Sequence, residues 1–263
     1  MSVTPASRRQ ISVLRNMRRK KYRQEQLLFL AEGERTVIQI LENGIVDVVT
    51  IFLDETNAGT MLPLIEHAGE ERSIYSLPRD IFTEVSDTEH PQGILALCRV
   101  PEMSDLEVWQ NPHGCLVALD GLRDPGNMGT IIRTASWFGA SGLILSRDTV
   151  DPFHPKVVRS TAGATGTLPY SIGELNDLLR ELQEMGWKIF FLEDRQGAEP
   201  IGSGLVVDGA VLVIGNEARG ISVDQTKVSG RSIRIPMGAN RVNVESLNAA
   251  VAASIALYEF MKK

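Results

Sequence analysis

Cys115-Leu-Val-Ala-Leu-Asp-Gly-Leu-Arg-Asp-Pro-Gly-Asn-Met-Gly-Thr-Ile-Ile-Arg-Thr-Ala135 joins an unbroken apolar run to a helical pattern through a turn of Gly, Pro, Asp and Asn. Five consecutive apolar residues bounded by turn signals read as a strand buried on both faces, the kind found in parallel sheets. The pattern recurs twice. Val213-Ile-Gly-Asn-Glu-Ala-Arg-Gly-Ile221 continues the run 210–214, and Ile235-Pro-Met-Gly238, leading to Glu245-Ser-Leu-Asn-Ala-Ala-Val251, continues 232–236. Further strands are expected at 143–145 and 188–192, and helices at 128–138, 175–185 and 247–261. Strands alternating with helices predict an α/β fold with a parallel sheet covered on both faces. Such sheets hold their ligands at the carboxyl ends of the strands, where all three quoted turns fall.

Working outward, residues 26–100 alternate helix and strand on a smaller scale. Thr36-Val-Ile-Gln-Ile-Leu41 fits a helix closed by Asn43-Gly44. Val46-Asp-Val-Val-Thr-Ile-Phe-Leu53 and Gly93-Ile-Leu-Ala-Leu-Cys98 read as strands, and 78–85 as a short helix with proline in its first turn. The proline-broken polar stretch 105–114 is the expected linker. The domains are therefore 1–104 and 115–263.

Composition is that of a globular protein, 43% hydrophobic and 23% charged over 263 residues. No apolar stretch approaches the roughly 18–20 residues of a membrane span. The N-terminus lacks an apolar leader segment, so a cytoplasmic protein is expected. Cys98 and Cys115 form no CxxC pair and the four histidines are scattered, so no metal site is expected. The net charge of −6 hides a strong asymmetry. Residues 1–24 hold eight of the 27 basic residues, among them Arg18, Arg19, Lys20, Lys21 and Arg23, and none of the 33 acidic ones. That segment carries +8 and the remainder −14, the footprint of a polyanion-binding arm on an acidic body. The alternative is a solvated tail with no partner.

The turns themselves speak against two large ligand classes. No G-x-x-x-x-G-K-[ST] is present, and the first turn lacks G-x-G-x-x-G, so neither a P-loop nor a dinucleotide site is supported. What remains is chemistry at helix starts. Asn127 stands at a helix start, where asparagine is a favoured cap, and Arg133 follows about two turns on. Glu217 lies between glycines beyond a buried strand, and Ser246 and Asn248 open the last helix. Each motif alone also fits an ordinary capped helix or turn.

Together and in this order, the three motifs resemble the signature of the SpoU/TrmH branch of the SPOUT RNA methyltransferases, from Leu116 to about Met261. The basic stretch followed by Phe29-Leu-Ala-Glu-Gly33-Glu-Arg-Thr-Val37 resembles the L30e-like substrate-binding domain of that family. The resemblance implies a SPOUT-type sheet whose C-terminal segment forms a trefoil knot. It implies S-adenosylmethionine held by Ile214, Gly215, Ile235, Met237, Ser246 and Leu247. It gives Arg133, Asn127, Glu217 and Asn248 the catalytic positions, and Arg18, Arg19, Lys20, Lys21 and Arg23 the RNA contacts. It further implies a homodimer that methylates a ribose 2′-hydroxyl, with 23S ribosomal RNA favoured as substrate. A catalytically silent RNA-binding or assembly dimer and a tRNA 2′-O-methyltransferase stay open. The loop 237–246 is longer than the family pattern, with Arg241 and Asn243 in the extra length.

Overall fold

The computed structural model describes residues 3–67, 73–202, 208–238 and 246–262. Along the chain its elements are β1 (Val3–Pro5), α1 (Arg8–Asn16), α2 (Lys20–Gln26), β2 (Leu28–Glu32), α3 (Glu34–Asn43), β3 (Val48–Asp54), α4 (Ala58–His67), β4 (Ile74–Leu77), α5 (Arg79–Val85) and β5 (Ile94–Arg99). There follow β6 (Cys115–Leu119), α6 (Pro125–Phe138), β7 (Gly142–Ser146), α7 (Pro155–Ser160), β8 (Tyr170–Gly173), α8 (Leu175–Glu184), β9 (Lys188–Leu192), β10 (Glu199–Pro200), β11 (Ala210–Ile214), β12 (Arg231–Arg234) and α9 (Ala249–Met261). They form two compact units, one of residues 1–102 with 151–167, the other of 103–150 with 168–263.

The second unit is built on a seven-stranded sheet in the order β10-β12-β9-β11-β6-β7-β8, parallel at every pairing. Its central strands, Cys115–Leu119 and Ala210–Ile214, are buried at every position, as a sheet covered on both faces requires. On one face Leu116, Ile189, Phe191 and Val211 pack with Leu179 and Leu182 of α8. On the other, Phe190 meets Phe260 of α9 edge-on, with ring centroids 5.1 Å apart, and α6 lies against α9. The expected linker is ordered here: Leu106–Trp109 forms a 3-10 turn whose Leu106 and Trp109 enter this core, and Trp109 Nε1 donates to the carbonyl of Ser141 at 3.0 Å.

The first unit has a mixed five-stranded sheet, β1-β4-β3-β5-β2. Its N-terminal segment is folded. A capping box of Ser7 and Gln10 starts α1, and Leu14 and Met17 are buried in a cluster with Phe52, Phe82 and Leu95. Arg23 is buried as well, 2% exposed, and its Nη2 pairs with Asp151 at 2.6 Å while Nη1 donates to the carbonyls of Met17 and Arg18. Residues 151–167, contiguous in sequence with the second unit, therefore belong to the first. Phe153 stacks at 5.2 Å on Phe29, Asn43 Nδ2 donates to the carbonyl of Gly163, and α7 covers the outer strand β2. Apolar contact and a buried charge pair outweigh sequence order in setting that allegiance.

Removing one partner of a buried ion pair leaves an uncompensated charge. Asp151→Ala is expected to destabilise the protein by about 3–5 kcal/mol, read as a lower midpoint in denaturant unfolding. An unchanged midpoint would show that Arg23 finds water or another acceptor.

Candidate active site

The helix that follows β6 starts with a cap different from the one its sequence suggests. Asp124 is the N-cap of α6, its Oδ1 accepting from the Asn127 backbone N–H at 2.7 Å, with Pro125 in the first position. Asn127 lies one turn inside the helix instead of at its cap. Its side chain is thereby free to reach the other loops, and Nδ2 donates to Glu217 Oε1 at 2.7 Å. Asn127 Oδ1 accepts from Asn248 Nδ2 at 2.8 Å. Asn248 is the N-cap of α9, its Oδ1 accepting from the backbone N–H groups of Ala250 and Val251 at 2.9 and 3.2 Å. The three motifs are thus joined side chain to side chain, Glu217 to Asn127 to Asn248.

The loop carrying Glu217 is closed by its own backbone. Asn216 and Gly220 exchange N–H···O bonds at 2.9 and 2.8 Å, and Asn216 Oδ1 accepts from the N–H groups of Ala218 and Arg219. Asn216 Nδ2 ties the loop to the carbonyl of Gly121 at 2.7 Å. Buried Asp120 accepts from Ser222 Oγ at 2.8 Å and from the N–H groups of Ser222 and Val223. Gly215 is required for this closure: a Cβ there would lie 2.4 Å from the carbonyl carbon of Gly220.

Beside this loop is a cavity of about 800 Å³. Ile214, Gly215, Ile235, Met237, Ser246 and Leu247 all line it, and Glu217 is shared between the cavity and the amide relay. Sequence reasoning missed the remaining wall. Residues 192–195, Arg219 and Arg234 also line it. The signal was available for 192–195, because β9 is parallel to β11 and its carboxyl end must open on the same edge of the sheet.

Arg133 stands apart from this set. It is exposed on α6 and, among the described residues, makes no hydrogen bond or ion pair. It shares a helix face with Trp137, four residues on, which is 84% exposed. Arg241 and Asn243 lie outside the described residues. In the first unit Arg18, Arg19, Lys20 and Lys21 are exposed, in keeping with a charged contact surface. Arg23 is the correction: its guanidinium is enclosed and committed to Asp151, so its role is structural. Among the described residues no group of three or more His, Cys, Asp or Glu could hold a metal, and no helix is long and apolar enough to cross a membrane. Burial pushes the Cys115 thiol up to about 12, so it stays neutral at physiological pH.

Fold and site define an α/β protein with a cavity at the carboxyl edge of a parallel sheet, where such folds hold their ligands, and a carboxylate on its wall joined to two side-chain amides. The sequence model of the SpoU rRNA Methylase family matches residues 114–258, and that of the MRM3-like substrate binding domain matches 8–96. The chain belongs to the SpoU rRNA methylase family. It is 31% identical to the 23S rRNA (guanosine(2553)-2′-O)-methyltransferase RlmP of Bacillus subtilis, over 97% of each chain. It is 26% identical to the human mitochondrial rRNA methyltransferase 3, over 97% of this chain and 72% of that one. Among solved structures, a TrmH-family protein from Porphyromonas gingivalis superposes with a TM-score of 0.82 at 28% identity, covering 98% of each chain. The AdoMet-bound rRNA methyltransferase of Sinorhizobium meliloti does so with a TM-score of 0.78 at 29% identity, covering 98% of this chain and 95% of that one.

The relay yields a test that separates folding from function. Aspartate caps helices as well as asparagine does, so Asn248→Asp should start α9 as before and melt within about 1 kcal/mol of the parent. Its carboxylate cannot donate to Asn127 Oδ1, and methyl transfer should fall by about tenfold or more. Undiminished transfer would show that the relay is dispensable.

Proposed function

We propose that this chain transfers the methyl group of S-adenosylmethionine to a ribose 2′-hydroxyl of 23S ribosomal RNA. The observation that carries the reading is a cavity lined by the second and third family motifs, with Glu217 on its wall hydrogen-bonded to Asn127 of the first motif and through it to Asn248. The cavity suits the cofactor: its volume falls within the range of small-molecule sites, and its walls combine apolar Ile214, Ile235 and Leu247 with a backbone that only Gly215 permits. When bound, the cofactor supplies a methyl group already activated by its sulfonium. The chain must then align the attacking hydroxyl in line with it and ease the loss of the hydroxyl proton.

Glu217, Asn127 and Asn248 orient the ribose and the cofactor. The Arg133 guanidinium stabilises the developing alkoxide and grips the neighbouring phosphate, and phosphate or water takes the proton. Arg133 does not line the cavity of its own chain, and we infer that a second copy completes the site. The helix α9 supports this: Val251, Ile255 and Tyr258, at helical spacing, are exposed apolar residues, and α6, which packs on α9, carries exposed Trp137. A helix that is apolar on its outer face as well as its inner one calls for a covering surface. The C-terminal segment is read as knotted. Its flanks, 235–238 and 246–247, both reach the cavity, while the thread between them lies outside the described residues.

Residues 1–104, joined through 105–114 to the catalytic part 115–263, deliver the RNA, with 151–167 lent to the delivering unit. Exposed Arg18, Arg19, Lys20 and Lys21 meet phosphate, and a ribosomal substrate implies the cytoplasmic compartment. The tRNA reading is the weaker one, since the relative at 31% identity over the whole chain is named for 23S rRNA. The silent-dimer reading is weakened by the presence of every motif residue.

Incubation with methyl-labelled S-adenosylmethionine and total RNA lacking the modification should place label in large ribosomal RNA as a 2′-O-methylated nucleotide. Label in tRNA alone would overturn the substrate, and no cofactor binding at all would overturn the enzyme. Arg133→Ala is expected to keep cofactor affinity and lose turnover by about 10²–10³-fold, as when one donor to a developing oxyanion is removed. The protein should scatter light as a dimer, and Ile255→Glu should shift it to monomer; a monomeric parent would sink the shared site.

A further inference from the structure

One wall of the cavity carries a carboxylate that the reading above leaves unused. Glu193 follows the last residue of β9 and lines the cavity, with its side chain only 20% exposed. Its Oε1 is held from three sides. Ser232 Oγ of β12 donates at 2.6 Å, Gln225 Nε2 donates at 3.1 Å, and Arg195 Nε lies at 3.0 Å. The strand below is fixed too, since the Glu193 N–H donates to the carbonyl of Ile233 at 2.9 Å. Among the described residues Oε2 takes no partner. Three donors on one oxygen lock the carboxylate in place, so the rotamer entropy that a flexible glutamate would lose on meeting a ligand is already lost. The second oxygen is a preorganised acceptor.

We propose that Glu193 Oε2 accepts a hydrogen bond from a ribose hydroxyl of S-adenosylmethionine, an inference that rests on the cofactor occupying this cavity. A carboxylate near the carboxyl end of a strand is how dinucleotide sites hold a ribose hydroxyl. Here the acid stands without the glycine fingerprint that accompanies it there. The cofactor offers two kinds of donor, the ribose hydroxyls and the α-ammonium, and Arg195 decides between them. Its guanidinium already balances the charge of Glu193 at 3.0 Å. What Oε2 retains is acceptor capacity, not unpaired charge. A second cation would compete with Arg195, and a neutral hydroxyl does not.

Calorimetry on the full chain tests this with three ligands. They are S-adenosylhomocysteine, 5′-methylthioadenosine (which keeps the ribose and lacks the amino-acid portion) and the 2′,3′-dideoxy form of methylthioadenosine. Glu193→Ala should weaken the first two alike, by about tenfold or more for a hydrogen bond to a charged group. The parent protein should lose a similar factor on the dideoxy ligand, and combining variant with dideoxy ligand should cost nothing further. A merely loosened cavity would weaken the dideoxy ligand as well, which would overturn the contact. So would a loss confined to S-adenosylhomocysteine, the mark of an ammonium partner, or binding of all three ligands as in the parent. Should Glu193→Ala fail to fold, Ser232→Ala removes one anchor and leaves the carboxylate; it should weaken methylthioadenosine and spare the dideoxy ligand, and equal effects on both would count against the proposal. Failure of the parent to bind any of the three would instead remove the cavity reading itself.

Discussion

The site depends on the direction of one side-chain amide. Asn127 can be turned either way by rotation about χ2, and two neighbours settle which way it faces. Glu217, as a carboxylate, can only accept, so Nδ2 must face it. Asn248 has already used Oδ1 on the first N–H groups of α9, so only its Nδ2 is left to face Asn127 Oδ1. The helix cap at one end and the acid at the other thus fix a polarity through the amide between them. That is why the chain uses asparagine at both positions: no other uncharged side chain of this length offers a donor and an acceptor in one plane. It also explains why Asp124 takes over the capping of α6, since an Asn127 engaged in its own helix cap could not bridge two other loops.

The relay would have nothing to hold if the loop after β11 were mobile, and this loop is fixed by backbone chemistry. Asn216 acts as a miniature turn, accepting from two N–H groups and donating to the end of the β6 turn, while Asp120 gathers three donors from 222–223. Both anchors run between β6 and β11, neighbours at the centre of the sheet and its most deeply buried strands. The cavity is therefore hung from the buried centre of the sheet. A ligand held by such a loop needs few dedicated side chains. The usual glycine fingerprint is absent, yet only glycine at 215 lets the loop fold back on itself. The glycine in each case serves close approach, and its position differs because the approach differs.

What could be read in the sequence follows from the range of the forces involved. Five-residue apolar runs mark strands buried on both faces, and 188–192 and 210–214 lie where their composition puts them. The cap at Asn248 is a contact over two and three residues, and it too was legible. Misreadings arise where a long-range contact overrides a local preference. Asn127 and Asp124 are both good caps, and only Glu217, ninety positions away, decides between them. Arg23 sits in a run of cations that reads as one solvated surface, and only Asp151, distant by 128 positions, takes it inside. The wall formed by 192–195 has no motif of its own, because its part in the cavity comes from strand order.

The stretch 151–167 carries this lesson furthest. By covalent order it falls within 115–263, the catalytic part. Yet Phe153 on Phe29, Asp151 on Arg23 and the cover over β2 make it a structural member of the first unit. Without it the edge strand β2 would lose the helix packed on it, and an exposed edge strand is a template for aggregation. Arg23 would be left as a buried cation with an Nε that already has no hydrogen-bond partner among the described residues. A folding unit cut at residue 104 is thus incomplete in both its apolar and its ionic bookkeeping. The boundary between the two units lies in the contacts and not in the linker, and the first unit is whole only with 151–167 in place.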